Sequence, residues 1–464
     1  MAVGSVLVLA TFCLGGCNRL ESLEPLEPSL LSPSARQPEQ PQPGQWPGYR
    51  GGTLQGVAGN ATLPILFGPE VNVRWCVDLP GTGNSSPTVF GDRVFLTAQY
   101  PGNPPELVVI CIDRVAGDVR WEQVVGIAAG KTHHKNGYAT ATVATDGERI
   151  YATFGPRGVF CFSVEGELLW NVPLDHLEHP WGHASTPVLA GNLVVQLADG
   201  ARGSRLTALN CYTGQTVWSA ERESSGAWTT PALVSVEANG APRWELVVNG
   251  TGSTNGAPGY VIAYDPDTGD ELWRVQGTTD IPCPTAIVGE SLVVSTSGMN
   301  GPIIAIRPGL VADGARPRIA WRLPVGGPHV PTGVIANGLL YLVSDGGILR
   351  CFEAETGDEL WKKRLRRTHN ASLVVGDGKL FATSEQGDIH VFDMTGDHKL
   401  LAINRLQQRC LATPAIGRDE LFVRTERRLY CFAEPLETAS DNTAATSDVP
   451  AKIIPASTLH GGGE

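Results

Sequence analysis

The sequence predicts an all-β fold: an eight-bladed β-propeller of four-stranded blades over residues 71–434, closed by its N-terminal strand. Three observations predict it. A β-hairpin ending in Trp recurs along the chain, its Trp residues fall at the spacing of a propeller blade, and a second strand pair precedes each hairpin.

The hairpin is clearest at residues 260–273, YVIAYDPDTGDELW. β-Branched and aromatic residues run up to Tyr264, and Asp265-Pro266-Asp267-Thr268-Gly269 turns the chain. Pro266 presets φ, the short acids accept turn N–H groups, and Gly269 supplies the positive φ that closes the turn. Copies stand at 206–218 and 348–361, and worn ones at 108–121, 159–170, 303–321 and 389–401. The marker positions are Trp75, Trp121, Trp170, Trp218, Trp273, Trp321, Trp361 and then Leu401, spaced by 46, 49, 48, 55, 48, 40 and 40 residues. A period of this length with four short strands per unit is that of a propeller blade.

The second pair opens with small residues and Pro, turns on Gly, Asp or Asn, and continues in a β-branched strand. It is legible at 85–98, 185–198, 229–236, 284–297 and 412–423, and less tidily from Ala139, Pro331 and Ala371. Eight such pairs each gain a third strand, but the fourth strands are displaced. The first, at 71–79 with Trp75, precedes every pair, and the last third strand, 428–432, has no successor. Pairing these two ends completes a composite blade and closes the ring.

Around the ring lie segments of other composition. Residues 1–17 are apolar and end in Leu14-Gly15-Gly16-Cys17, which resembles the bacterial lipobox and implies a lipoprotein-type signal with Cys17 as the lipidated residue, although no Lys or Arg precedes the apolar run. Residues 18–45 are a Pro, Glu and Ser-rich tether expected to be disordered, 46–70 an irregular arm on the ring, and 435–464 a disordered tail. A net charge of −12 argues against nucleic-acid binding. The basic run at 362–367 reads as a solvated strand edge.

The Ala-Leu-Asn-x-x-Thr-Gly-x-x-x-Trp pattern ending at Trp218, with its copy ending at Trp273, resembles the repeat of the pyrroloquinoline-quinone (PQQ) propeller superfamily. The resemblance covers about four-fifths of the chain and implies the fold. For function it leaves a choice between calcium- and PQQ-dependent dehydrogenases and the cofactor-free lipoprotein propeller of the outer-membrane assembly machinery. It also implies that the seven repeat Trp residues pack neighbouring blades together.

The dehydrogenase branch implies a Cys-Cys pair over the quinone, an oxygen-ligand cluster for Ca²⁺ and a catalytic Asp. The chain has no Cys-Cys pair, and acids such as Asp265, Asp267, Glu355 and Asp358 fall in hairpin turns. No catalytic residue and no metal ligand is therefore assigned, and no cofactor is expected, with PQQ and calcium as the alternative. Cys111, Cys161, Cys351 and Cys431 align with Ala208, Ala263 and Ala305 on third strands and read as inert core thiols.

The binding candidates cluster ahead of the innermost strands. Alignment on the Ser/Thr-Pro signature puts Asn84, Tyr138, Ala184, Trp228, Pro282, His329, His369 and Leu411 at one level of the channel mouth, with His183 one residue before it. Tyr138, His183, Trp228, His329 and His369 are the candidate ligand site, an acid-free ring suited to a planar or weakly anionic ligand. The expected function is a non-enzymatic, lipid-anchored, monomeric scaffold binding envelope proteins through its loops. Asn18 after the Cys favours the periplasmic side of the outer membrane over the inner membrane. The alternative is a quinoprotein oxidoreductase or a quinone- or small-ligand-binding sensor at the mouth.

Overall fold

The computed structural model describes residues 42–435 except 53, 60, 175–176, 201–202, 239–240, 252–257 and 310–317. The signal, Cys17, most of the tether and the tail lie outside these residues. Among the described residues thirty-two strands form eight antiparallel four-stranded sheets, each one blade. Blade 1 comprises Thr88–Phe90, Arg93–Tyr100, Glu106–Asp113 and Val119–Ile127, and the next six repeat this order up to Leu400–Arg405 of blade 7. Blade 8 is composite. Ala415–Ile416, Leu421–Arg424 and Arg428–Phe432 are completed by Val73–Asp78, which pairs with the last of them. The ring is thus closed by hydrogen bonds between the two ends of the array.

The repeat motif works as a joint between blades. Asp265 Oδ1 accepts the backbone N–H groups of Asp267 and Thr268, and Gly269 takes a φ of +77°. Over that turn lies Trp218 of the preceding blade, whose Nε1–H donates to Pro266 O at 3.0 Å. Trp75, Trp121, Trp170 and Trp321 do the same to Arg114, Val164, Cys211 and Ala354 at 2.8–3.1 Å. A side chain on Gly117, Gly166, Gly214, Gly269 or Gly357 would run into the indole above it. This is why the turn ends in Gly: it needs both positive φ and a bare surface. Within its own blade each Trp stands opposite a small residue: Cys431, Cys111, Cys161, Ala208, Ala263, Ala305 or Cys351.

Blade 7 departs from the pattern, and the marker expected at Leu401 is corrected here. The register pairs Val391 with Ala402, so Ala402 holds the Trp position, and Leu401 is exposed. Blade 8 has no turn between its third and fourth strands on which an indole could sit, because those strands come from opposite ends of the chain. The N-terminal arm fills the place. Phe67 N–H donates to Asn404 Oδ1, Asn404 Nδ2 donates to Ile65 O, and the Phe67 ring lies 4.8 Å from Phe432.

The same arm closes the channel. Trp46 exchanges backbone hydrogen bonds with Val89 of blade 1, and Pro47 O accepts from Thr145 of blade 2. Tyr49 Oη reaches Ser372 Oγ at 2.8 Å, beside blade 7, so residues 46–50 cross the axis. Arg50 is fully buried there with no carboxylate partner among the described residues, its donors divided among the carbonyls of Leu54, Thr332, Leu373, Gln55 and Gly333. Burial lowers its pKa to about 10, and the five carbonyls stand in for a counter-ion.

Candidate functional site: a closed-bottomed funnel

The eight innermost strands are tied together by a hydrogen-bonded belt. Backbone N–H of Ser86 donates to Thr142 Oγ1, Thr142 to Thr186, Thr186 to Thr230, and Thr230 to Thr285. Thr285 continues to Thr332, Thr332 to Ser372, Ser372 to Thr413, and Thr413 back to Ser86 Oγ. All eight bonds measure 3.0–3.3 Å. A β-branched or small hydroxyl at this position satisfies a neighbouring N–H that has no ladder partner, which accounts for the Ser/Thr of the signature.

Above the belt opens a cavity of about 540 Å³, floored by Tyr49 and by the hydroxyls of Ser86, Thr142, Thr186, Thr230, Thr285 and Thr413. Each of those oxygens accepts one bond, while their protons have no acceptor among the described residues. The floor therefore offers convergent O–H donors.

Two residues ahead of the belt stand Asn84, Thr140, Ala184, Trp228, Cys283, Val330, Asn370 and Leu411, and all eight line the cavity. This corrects the alignment made on sequence. Tyr138, Pro282, His329 and His369 are displaced from the level by one or two residues. Trp228 and His329 line the funnel, but Tyr138 and His183 line a neighbouring cavity of about 450 Å³ with Lys131, Phe154, Pro156 and His179. His369 is 1% exposed and lines neither. The ring is also not free of acids: Asp345 and Glu385 line it. Asp345 Oδ2 accepts the His329 N–H at 2.8 Å, and Glu385 pairs with Lys135 at 2.8 Å.

The wall between the two cavities is aromatic. Trp228 Nε1–H donates to Gly182 O at 2.9 Å, His179 meets the Trp228 ring edge-on at 4.6 Å, and Trp181 lies 5.6 Å from it. Burial holds His183 at a pKa of about 4, and its Nε2 lies 3.3 Å from the Gln196 amide nitrogen, as a neutral ring accepting a bond would. His369 is held at about 4 by burial and by the nearby charge of His390. Cys283, on the funnel wall, is pushed by burial up to about 12 and stays a thiol at neutral pH. Among the described residues no three His, Cys, Asp or Glu side chains are grouped to hold a metal ion.

Residues 105–345, 257–399 and 345–446 match the family described as "Outer membrane protein assembly factor BamB". The chain belongs to this family. The BamB of Moranella endobia is 22% identical over 354 residues, 74% of this chain and 82% of the relative. Methanol dehydrogenase subunit 1 of Methylorubrum extorquens is 27% identical over 161 residues, but they make up only 31% of this chain and 24% of that protein. Among solved structures, the quinohemoprotein alcohol dehydrogenase of Comamonas testosteroni superposes with a TM-score of 0.63 at 12% identity, over 84% of this chain and 80% of the other. Such a likeness shows the fold alone, and the fold serves both functions.

Proposed function

We propose that this BamB-family propeller is a non-enzymatic scaffold of the periplasmic envelope, contributing to outer-membrane protein assembly as its relatives' name states. It is held as a monomer on the outer membrane by lipid on Cys17, and it binds envelope proteins through the loops of its open face. The observation that carries the reading is the funnel rim. Trp181 is 43% exposed and Met299 77% exposed, both lining the same opening, and Trp and Met are residues that protein interfaces favour. The pair Lys135–Glu385 supplies a polar rim beside them.

Calcium with PQQ, implied by the dehydrogenase side of the resemblance, fits these residues poorly. The two carboxylates on the funnel are already engaged with Lys135 and with the His329 backbone. A hard cation needs six or more oxygens, and the hydroxyls here already accept backbone N–H groups. The hydroxyl floor and Trp228 favour a second reading, a small acceptor-rich ligand seated in the funnel without chemistry.

The test is capture from detergent-solubilised envelopes by the purified protein. Trp181→Ala with Met299→Ser should lose the captured assembly proteins while melting like the parent. Unchanged capture removes the rim as the docking surface, and substrate-dependent dye reduction with added PQQ and Ca²⁺ overturns the non-enzymatic reading.

A further inference from the structure

Another buried arginine stands where the other blades carry no charge. Arg424 lies two residues beyond Phe422, which pairs with Cys431 opposite Trp75. By the same register the position is Thr97, Thr153, Leu197, Asn249, Thr296, Val343 and Thr383 in blades 1 to 7. Arg424 is 1% exposed and reaches across the junction of blades 8 and 1. Its Nη1 donates to Ser85 O and Oγ and to Thr97 O at 2.5–3.0 Å. Its Nε and Nη2, both buried, have no partner among the described residues.

The other buried guanidiniums are satisfied, Arg50 with every nitrogen on a carbonyl and Arg222 on the buried carboxylate of Asp199 and the Tyr264 hydroxyl. Arg424 has a cavity instead. It leaves about 10 Å³ for the centre of a water-sized sphere, room for one small occupant, and is lined by Gly83, Asn84, Arg409, Thr425 and Glu426 beside Arg424. Nη2 is so close to Gly83 that any side chain there would displace it. Glu426 does not neutralise it, since its carboxylate faces Arg409 at 3.9 Å.

We propose that this cavity binds a monatomic anion, chloride under ordinary conditions, as the counter-ion of Arg424 at the closure of the ring. The unpartnered groups are all donors, so an occupant that only accepts suits them. A water molecule would satisfy part of the geometry and leave the buried charge uncompensated. The volume excludes sulfate and phosphate. Burial alone lowers the Arg424 pKa to about 9, in keeping with a cation that has no carboxylate near it. Bound anion would stiffen the junction beneath Asn84, whose amide holds the funnel-rim carbonyls of Lys135 and Asn136.

The experiment compares melting in sodium chloride and sodium gluconate at equal ionic strength, for the parent and for Arg424→Thr. Thr already occupies this position in four blades, so the variant is chosen to fold. The parent should melt about 1–2 °C higher in chloride once the site fills, and the variant should show no difference between the salts. Long-wavelength anomalous scattering from parent crystals in chloride should place a peak within hydrogen-bonding reach of Nη2. Equal chloride dependence in both proteins, or a water with no anomalous signal at the site, overturns the proposal. Should the variant not fold, the anomalous map of the parent decides.

Discussion

Five of the eight junctions between blades are built from one part, and the junction of blades 7 and 8 is built from another. At the remaining two, Trp273 donates to Glu245 of its own blade, and Trp361 packs on blade 7 with no bond from its Nε1 among the described residues. At the five, an indole of one blade seats on a Gly turn of the next and donates to its carbonyl. At blades 7 and 8 the Trp position is Ala402, and Phe67 with Asn404 joins the parts through the arm. The difference teaches what the repeat needs. An indole is useful only where the neighbour has a continuous third-to-fourth-strand turn, and closing the ring with a strand from the other end removes that turn. The N-terminal arm is thus a structural member at the seam and also the plug of the channel.

Breaking the seam outright should give the largest effect. Removing residues 1–80 takes away Val73–Asp78, the Phe67 contact and Arg50 together, leaving Arg428–Phe432 as an exposed edge. We expect loss of the cooperative melting transition and aggregation. Removing residues 1–41 keeps all of these groups and should leave the melting temperature where it was. Two truncations with the same melting curve would contradict the composite blade.

At the next scale the two kinds of junction can be exchanged. Trp218→Ala empties the seat over Gly269 and should cost about 3–5 kcal/mol by denaturant unfolding. Ala402→Trp puts the missing indole into the buried cluster at the seam that Ala402 shares with Leu63, Phe67 and Leu406, and should destabilise by about 1–3 kcal/mol. A stabilised Ala402→Trp would show that blade 8 offers a seat for an indole after all.

The contrast between the junctions also measures what the sequence carries. The eight blades, the composite closure and the small residues opposite each Trp follow from local patterns: turn chemistry, strand alternation and a fixed repeat. The seam residue did not follow. Leu401 keeps the 40-residue spacing and is apolar, but ten residues separate Val391 from Ala402 where nine separate Cys351 from Trp361, so one extra residue in the turn moves Ala402 into the Trp position. The funnel was misaligned for a related reason. Thr140, Pro284, Pro331 and Ala371 resemble the signature closely enough to stand in for Thr142, Thr285, Thr332 and Ser372, the residues that form the belt. Asking for a hydroxyl at the same offset in all eight blades would have found it. The arm across the axis has no repeat and no periodicity, so its path depends on contacts more than 280 residues away in sequence, such as those of Arg50.

The smallest effect concerns pH, and it sets one histidine beside a regular blade against one beside the seam. His183 precedes blade 3 and His369 precedes blade 7, and both are held near 4 from an ordinary value of 6.5, chiefly by burial. Each is neutral in the folded protein through that window, while in the unfolded chain it takes up a proton as the pH falls below 6.5. The unfolded state then binds more protons, so stability is lost on acidification, at about 1.4 kcal/mol per pH unit for each histidine, and is unaffected above the unfolded pKa. Asp388 opposes part of the shift at His369, and His390 adds to it, so the seam-side group is tuned by charge where His183 is tuned almost wholly by burial. Denaturant melts at pH 7 and pH 5 should show His183→Gln and His369→Gln each flattening the pH dependence of the parent. A parent whose stability is level between pH 7 and pH 5 would mean that neither ring is held neutral by the fold.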